Sequence, residues 1–148
     1  MTVGTTTLNE QQLARIATLL QPIANAAVYR SREAALARAE GIAILIRPEE
    51  DLVDNIARDV VFRSFRVLIT VIARGDIPDQ VADPARLAVN ATLLADQTLG
   101  GLSARVFEEE TKWDFEVADQ NAVAAVMRFR IRYATRAADL SAQAPFAL

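Results

Sequence analysis

Arg128, Arg130 and Arg132 alternate with Phe129, Ile131 and Tyr133, and this is the stretch whose residue types best suit nucleic-acid chemistry. Guanidinium groups meet phosphates and aromatic rings stack on bases, so such a strand can serve as a platform for single strands. The same arginines serve equally as one half of a charged strand pair. Glu108, Glu110, Lys112, Asp114 and Glu116 occupy every second position of the preceding segment. With a turn near Asn121, Arg128 faces Asp114, Arg132 faces Glu110, and Arg130 falls beside Lys112. Opposite charges across strands contribute roughly 0.2–1 kcal/mol per pair. The acids stand where the arginines need them, so a structural role is the preferred assignment.

Other chemistry is thinly supported. Glu108-Glu109-Glu110 has the composition of a metal or acid–base cluster, but on a regular strand Glu109 points away from its neighbours and the three do not converge. Asp76, Asp79, Asp83 and Asp96 read as loop and cap residues. Gly100-Gly101 lacks the lysine and spacing of a phosphate loop and reads as a helix stop. The sequence has no histidine and no cysteine, which removes Ser-His-Asp triads, thiol nucleophiles and Cys/His zinc sites. Lys112 is the only lysine among sixteen basic residues, and its neighbours Glu110, Thr111 and Trp113 suit neither a phosphate loop nor a Schiff base. The sequence therefore predicts no catalytic residue, no metal and no cofactor.

A length of 148 residues, 52% hydrophobic and 24% charged, predicts one ordinary folded domain over 1–148. Residues 1–6 and about 137–148 read as flexible or partner-docking ends. The net charge of −3 is opposite in sign to that of most free DNA-binding domains. Met1–Thr7 has neither the basic nor the apolar part of a secretory signal, and the apolar runs are too short to span a bilayer. A cytoplasm-like compartment is expected.

These residues need elements to position them. Thr7-x-x-Glu10 is a capping box, and Leu13, Ile16, Ala17 and Leu20 follow at helical spacing, so a helix runs from about Leu8 to Leu20 before Pro22. Residues 23–41 read equally as strand around Val28-Tyr29 and as helix over Ala34–Glu40. Ile42–Ile46 is a strand closed by Pro48. An acidic stretch from Glu49 leads to a long extended run, Val61–Ala73. Asp83-Pro84 opens a second helix, with aspartate as N-cap and proline at its first position. Its predicted buried stripe is Leu87, Ala91 and Leu94. Arg105–Glu116 and Arg128–Tyr133 alternate as antiparallel strands, with Phe107, Trp113 and Phe115 on one face of the first. The expected fold is α+β, a small mainly antiparallel sheet carrying two amphipathic helices. Ile42–Ile46 and Val67–Ile72 are apolar on both faces, which leaves Leu45, Leu68 and Ile72 to be covered either by residues 23–40 or by another subunit. Together with Trp113 they are candidates for a subunit interface.

The order of segments carries a resemblance. It runs Phe65–Gly75, Val81-Ala82-Asp83, Leu93-Leu94-Ala95-Asp96-Gln97-Thr98-Leu99-Gly100-Gly101-Leu102, Trp113–Asp119, then Phe129–Thr135. Over residues 60–136 this resembles the tail terminator proteins of long-tailed bacteriophages, the minor tail protein U group. The resemblance implies a virion subunit, assembled in the host cytoplasm, that forms a ring, typically a hexamer. Such a ring ends polymerisation of the tail tube and offers a surface to the head. It implies as partners further copies of itself, the major tail tube protein and a head–tail connector, with DNA passing through the lumen unbound. It brings no catalytic residue and no membrane partner. Beside it stand three alternatives: another neck subunit, a small enzyme using carboxylates and arginines, and a nucleic-acid module built on the arginine strand.

Overall fold

Thr7 caps α1 (Leu8–Leu20), its hydroxyl accepting a hydrogen bond from the Glu10 amide at 3.2 Å. The return half of the capping box is given up, because the Glu10 carboxylate instead takes two bonds from Arg30. Leu8, Leu13, Ile16 and Leu20 are buried along one face, as the helical spacing requires. The computed structural model describes residues 4–31, 41–115 and 121–146. Of the ambiguous segment, Ala27–Arg30 is a strand, β1; the helix considered for Ala34–Glu40 lies outside the described residues.

β1 pairs in parallel with β2 (Ile42–Ala57), which pairs antiparallel with β3 (Val60–Arg74). After α2 (Pro78–Ala95) and a short turn of 3-10 helix at Leu99–Gly101 come β4 (Arg105–Asp114), β5 (Ala122–Arg136) and β6 (Asp139–Gln143). The sheet order is β1-β2-β3-β5-β4, with β6 added to β5. All pairs except β1–β2 are antiparallel. Both helices lie on one face, where Phe65, Val67, Ile69, Val71, Met127, Phe129 and Ile131 meet Ile16, Leu20, Val89 and Leu93 in the main core. The chain is thus a single α+β domain with two helices on a mostly antiparallel sheet. Of the end expected over 137–148, Asp139–Gln143 forms β6 and Phe146 packs edge-on against Phe62, ring centres 5.2 Å apart.

Three boundaries differ from expectation. Pro48 does not close the strand: β2 continues to Ala57, and the acidic stretch becomes half of a long hairpin turning at Arg58-Asp59. Pairing with β1 stops at Ile46, so Pro48 lies on an open edge beside a bulge, where strand proline is tolerated. The second helix starts at Pro78, not at Asp83, and Pro84 sits inside it. Proline at the first helical position gives up an amide that has no intrahelical partner, so Pro78 is the stronger start. The buried stripe is Ala82, Ala85, Val89 and Leu93; Leu87, expected inside, is 68% exposed. Leu87 lies two positions, about 200° of helix rotation, from Val89 and Ala85. α2 has apolar residues on both sides, and packing selects the smaller ones that let it approach the sheet. Gly100 and Gly101 are not the stop of α2, which ends at Ala95 with Asp96 as its C-cap; they lie in the 3-10 turn that follows, both with left-handed φ, at 67° and 97°.

Candidate functional site

The sheet face turned away from the helices carries the charged constellation. β2 and β4 flank the central pair β3 and β5, and the two flanking strands are bulged three times. Each bulge inserts one extra residue, and each extra residue is acidic: Glu49, Asp54 and Glu109. An added residue reverses the alternation, so consecutive carboxylates reach the same face. Glu49 and Glu50 lie on one flank; Glu109 and Glu110 lie on the other.

Arginines on the central strands span between them. Arg66 of β3 donates to Glu50 at 2.5 Å and to Glu109 at 2.9 and 3.3 Å. Arg128 of β5 donates twice to Glu49, both at 2.9 Å, and once to Glu110. Arg130 lies beside Asp54 at 3.6 Å and donates to the Ser64 hydroxyl, which in turn donates to Asp54. Hydrogen bonds donated to these carboxylates hold the Arg66 and Arg128 guanidiniums more firmly protonated than usual. Five carboxylates meet three arginines, and Lys112 adds one cation 3.7 Å from Glu110, so the group carries a net −1. A phosphate approaching it meets arginines already occupied by carboxylates.

The register differs from the sequence-based pairing. Glu110 is the partner of Arg128, whereas Arg132 lies opposite Arg105 and stacks over Phe146 at 5.2 Å. Asp114 lies opposite Ala124, not Arg128. Asp114 pairs with Ala124, so the two strands are centred before Asn121, and the Glu109 bulge shifts the rest; the expected turn residues 118–120 lie outside the described residues. The bulge also divides the expected aromatic face. Phe107 lies opposite Arg130 on the charged side, while Trp113 lies opposite Ala125 on the helix side. Glu109 and Glu110 share a face and Glu108 points away to Asn90, which donates to it at 2.8 Å. Among the described residues no three carboxylates come together as a metal-binding set.

The proposed interface residues fall in three settings. Ile72, 5% exposed, is buried with Ala43 and Ala124, and Leu45 packs partly buried against this second small cluster. Leu68 is half-buried opposite Arg128. Trp113, 40% exposed, is on the other face under the Arg86 guanidinium at 5.7 Å. The outer face is therefore partly self-covered by its own apolar cluster and by the arginine–carboxylate group. The exposed large apolar side chains lie elsewhere: Val53 and Ile56 in the hairpin, Ile77 and Leu87 at and on α2, Trp113 and Phe115 at the end of β4, and Leu140 in β6.

On the helix side a polar network fastens α1 to the sheet. The Tyr133 hydroxyl donates to Asp51 and accepts from Asn9, both at 2.8 Å. Arg63 donates to Asp51 at 3.0 Å and to Thr135 at 3.1 Å. Burial, then the Asp51 carboxylate, pushes the Tyr133 phenol well above its usual range. A cleft of about 240 Å³ between α2 and β4 is lined by Asp83, Arg86, Leu87, Asn90, Glu108 and Met127. Its carboxylate Glu108 is taken up by Asn90, Thr111 and Arg86, so it has the character of a surface recess. Among the described residues no helix is long and apolar enough to cross a membrane.

No protein-family model matches the chain, and no curated protein matches it. Among solved structures, the fold is similar to that of a chain from the "Virion of native gene transfer agent (GTA) particle". The TM-score is 0.51 at 19% identity, over 85% of this chain and 90% of that one. The two chains share a fold from near end to near end.

Sequence reasoning did not find Glu49, Glu50, Asp54 and Arg66 as members of the charged group. A usable signal was present: Glu49-Glu50-Asp51 after Pro48, with Arg63 and Arg66 at the start of the next apolar run.

Proposed function

We propose that this chain is a structural virion subunit that forms a ring, in particular a hexamer, capping a phage tail tube. The observation that carries the reading is the fold shared with a chain of a gene transfer agent particle across 85% of this sequence. The ordered resemblance over residues 60–136 to tail terminators narrows it to the tube end. In this reading the partners are neighbouring copies, the tube protein and a head–tail connector, and the site of action is the virion. No catalytic residue is assigned. Capping needs only a rigid ring that fits the tube end and lacks the surface that recruits another tube subunit. A closed ring arises from a head-to-tail contact whose rotation returns to the start. The pairing of Arg66, Arg128 and Arg130 with carboxylates leaves these arginines less available to phosphates, which suits a lumen through which DNA slides without sticking. Leu45 and Ile72 of the outer apolar cluster, the half-buried Leu68 opposite Arg128, and Trp113 at the opposite face are proposed as edges of subunit contact.

The test is electron microscopy of tails assembled with and without this protein. Tails of uncontrolled length that fail to join heads in its absence are expected. Uniform tails that still join heads would overturn the reading.

A further inference from the structure

We infer that the tip of the β2–β3 hairpin of one subunit seats on the α2–β4 shelf of the next copy, with Ile56 against Leu87 and Trp113. The inference rests on the ring reading and names the contact that would build the ring. Both patches are exposed and apolar: Ile56 is 63% and Val53 53% exposed, Leu87 68%, Phe115 59% and Trp113 40%.

Their placement follows from the ladders. Val53 lies opposite Arg63 and Ile56 opposite Val61, and the extra residue Asp54 puts both on the helix side of the sheet. Trp113 lies opposite Ala125, also on the helix side. Val60, at the hairpin tip, pairs with Arg136, whereas Ala124, the residue beside Asp114, pairs with Ile72. The two patches therefore share a face and sit at opposite ends of the strands. They cannot meet within one chain, but they can meet between copies related head to tail, which is the relation a ring requires.

Charge agrees. The exposed Arg58 leads the hairpin turn, in the left-handed region at φ 57°. Asp79 and Asp83 are exposed on the first turns of α2, beside the shelf. Asp59, the other turn residue, is paired with Arg136 at 3.6 Å, so the tip keeps a surplus positive charge that meets an apolar shelf with an acidic rim. Hairpin against hairpin would set Arg58 against Arg58. Trp113 with Arg86 stacked on it has the make-up of an interface anchor.

The chain has no cysteine, so a disulfide test carries no background. Ile56→Cys and Leu87→Cys are made separately, each at an exposed position, with circular dichroism to check folding. They are oxidised alone and mixed, at concentrations up to the solubility limit. A disulfide dimer in the mixture, absent from either variant alone, is expected. Ile56→Asp should weaken self-association by about tenfold or more, as loss of a buried anchor does. A dimer from one variant alone, no dimer from the mixture, or unchanged self-association of Ile56→Asp would each overturn the contact. Large rings without the mixed disulfide would refute this contact and leave the ring reading standing. A mixed disulfide together with normal tails in the protein's absence would do the reverse.

Discussion

Arg128 holds Glu49 through two parallel hydrogen bonds of 2.9 Å across 79 positions of sequence. With Arg66 holding Glu109 across 43 positions, the two arginines tie both flanking strands to the central pair. Replacing Arg128 with Gln leaves Glu49, Glu50, Glu109 and Glu110 close together with one fewer cation. The thermal midpoint should fall by a few degrees, and added salt should recover part of the loss, because like charges on a surface are screened. A midpoint insensitive to both mutation and salt would show that the bridges contribute nothing.

The register gives a sharper test. A charge reversal at Arg128 combined with the reverse at Glu110 should show coupling in a double-mutant cycle. The same cycle on Arg132 and Glu110 should be additive, because Arg132 faces Arg105. The opposite pattern would place the turn at Asn121 after all.

Tyr133 makes the fold sensitive to alkali. An unfolded phenol ionises near pH ~10 and the folded one only above it. Below pH ~10 both states keep the proton and nothing is lost. Above it the unfolded state alone releases the proton, so stability falls as pH rises. Phenolate absorbance from Tyr133 should appear together with unfolding. Tyr133→Phe should flatten this slope while costing about 1–2 kcal/mol at neutral pH, since Asp51 and Asn9 each lose a bond.

Deleting Glu109 removes the β4 bulge and leaves Glu108 opposite Phe129 and Glu110 opposite Arg128 in unbroken alternation, so Trp113 keeps its place under Arg86. What is lost is the pair of bonds that Arg66 donates to Glu109. A cost of about 1 kcal/mol or less is expected in chemical denaturation, on the scale of a surface ion pair. Trp113 is the sole tryptophan, so an unchanged emission spectrum reports that the face is kept. A shifted spectrum with a loss of about 3 kcal/mol or more would show that the strand beyond residue 109 has turned over.

What was legible in the sequence was periodic or punctuated. Thr7, Glu10 and the 13/16/20 spacing define α1 to the residue, and the apolar run to Ala73 locates β3. The fold class follows from these and from the two alternating strands. The candidate site was only half legible because bulges carry no residue signature of their own. Glu109 is one acid among three in sequence, and only the ladder shows it to be the extra one. α2 misled for a related reason: it offers two apolar stripes, and the sheet's demand for small side chains chose Ala82, Ala85 and Val89 over Leu87.

The acidic bulges have a consequence for how the protein behaves before it meets any partner. β2 beyond Ile46 and β4 are the outer strands of the sheet, and a bare outer strand is a template for fibre growth. Here Pro48 withholds a donor, while Glu49, Asp54 and Glu109 kink the ladder and set charge along it. The bulges break regular register along these two stretches, so edge-to-edge stacking there is disfavoured, and association is left to side-chain surfaces such as the hairpin tip. A subunit proposed to end the growth of one polymer is built so that it does not seed another.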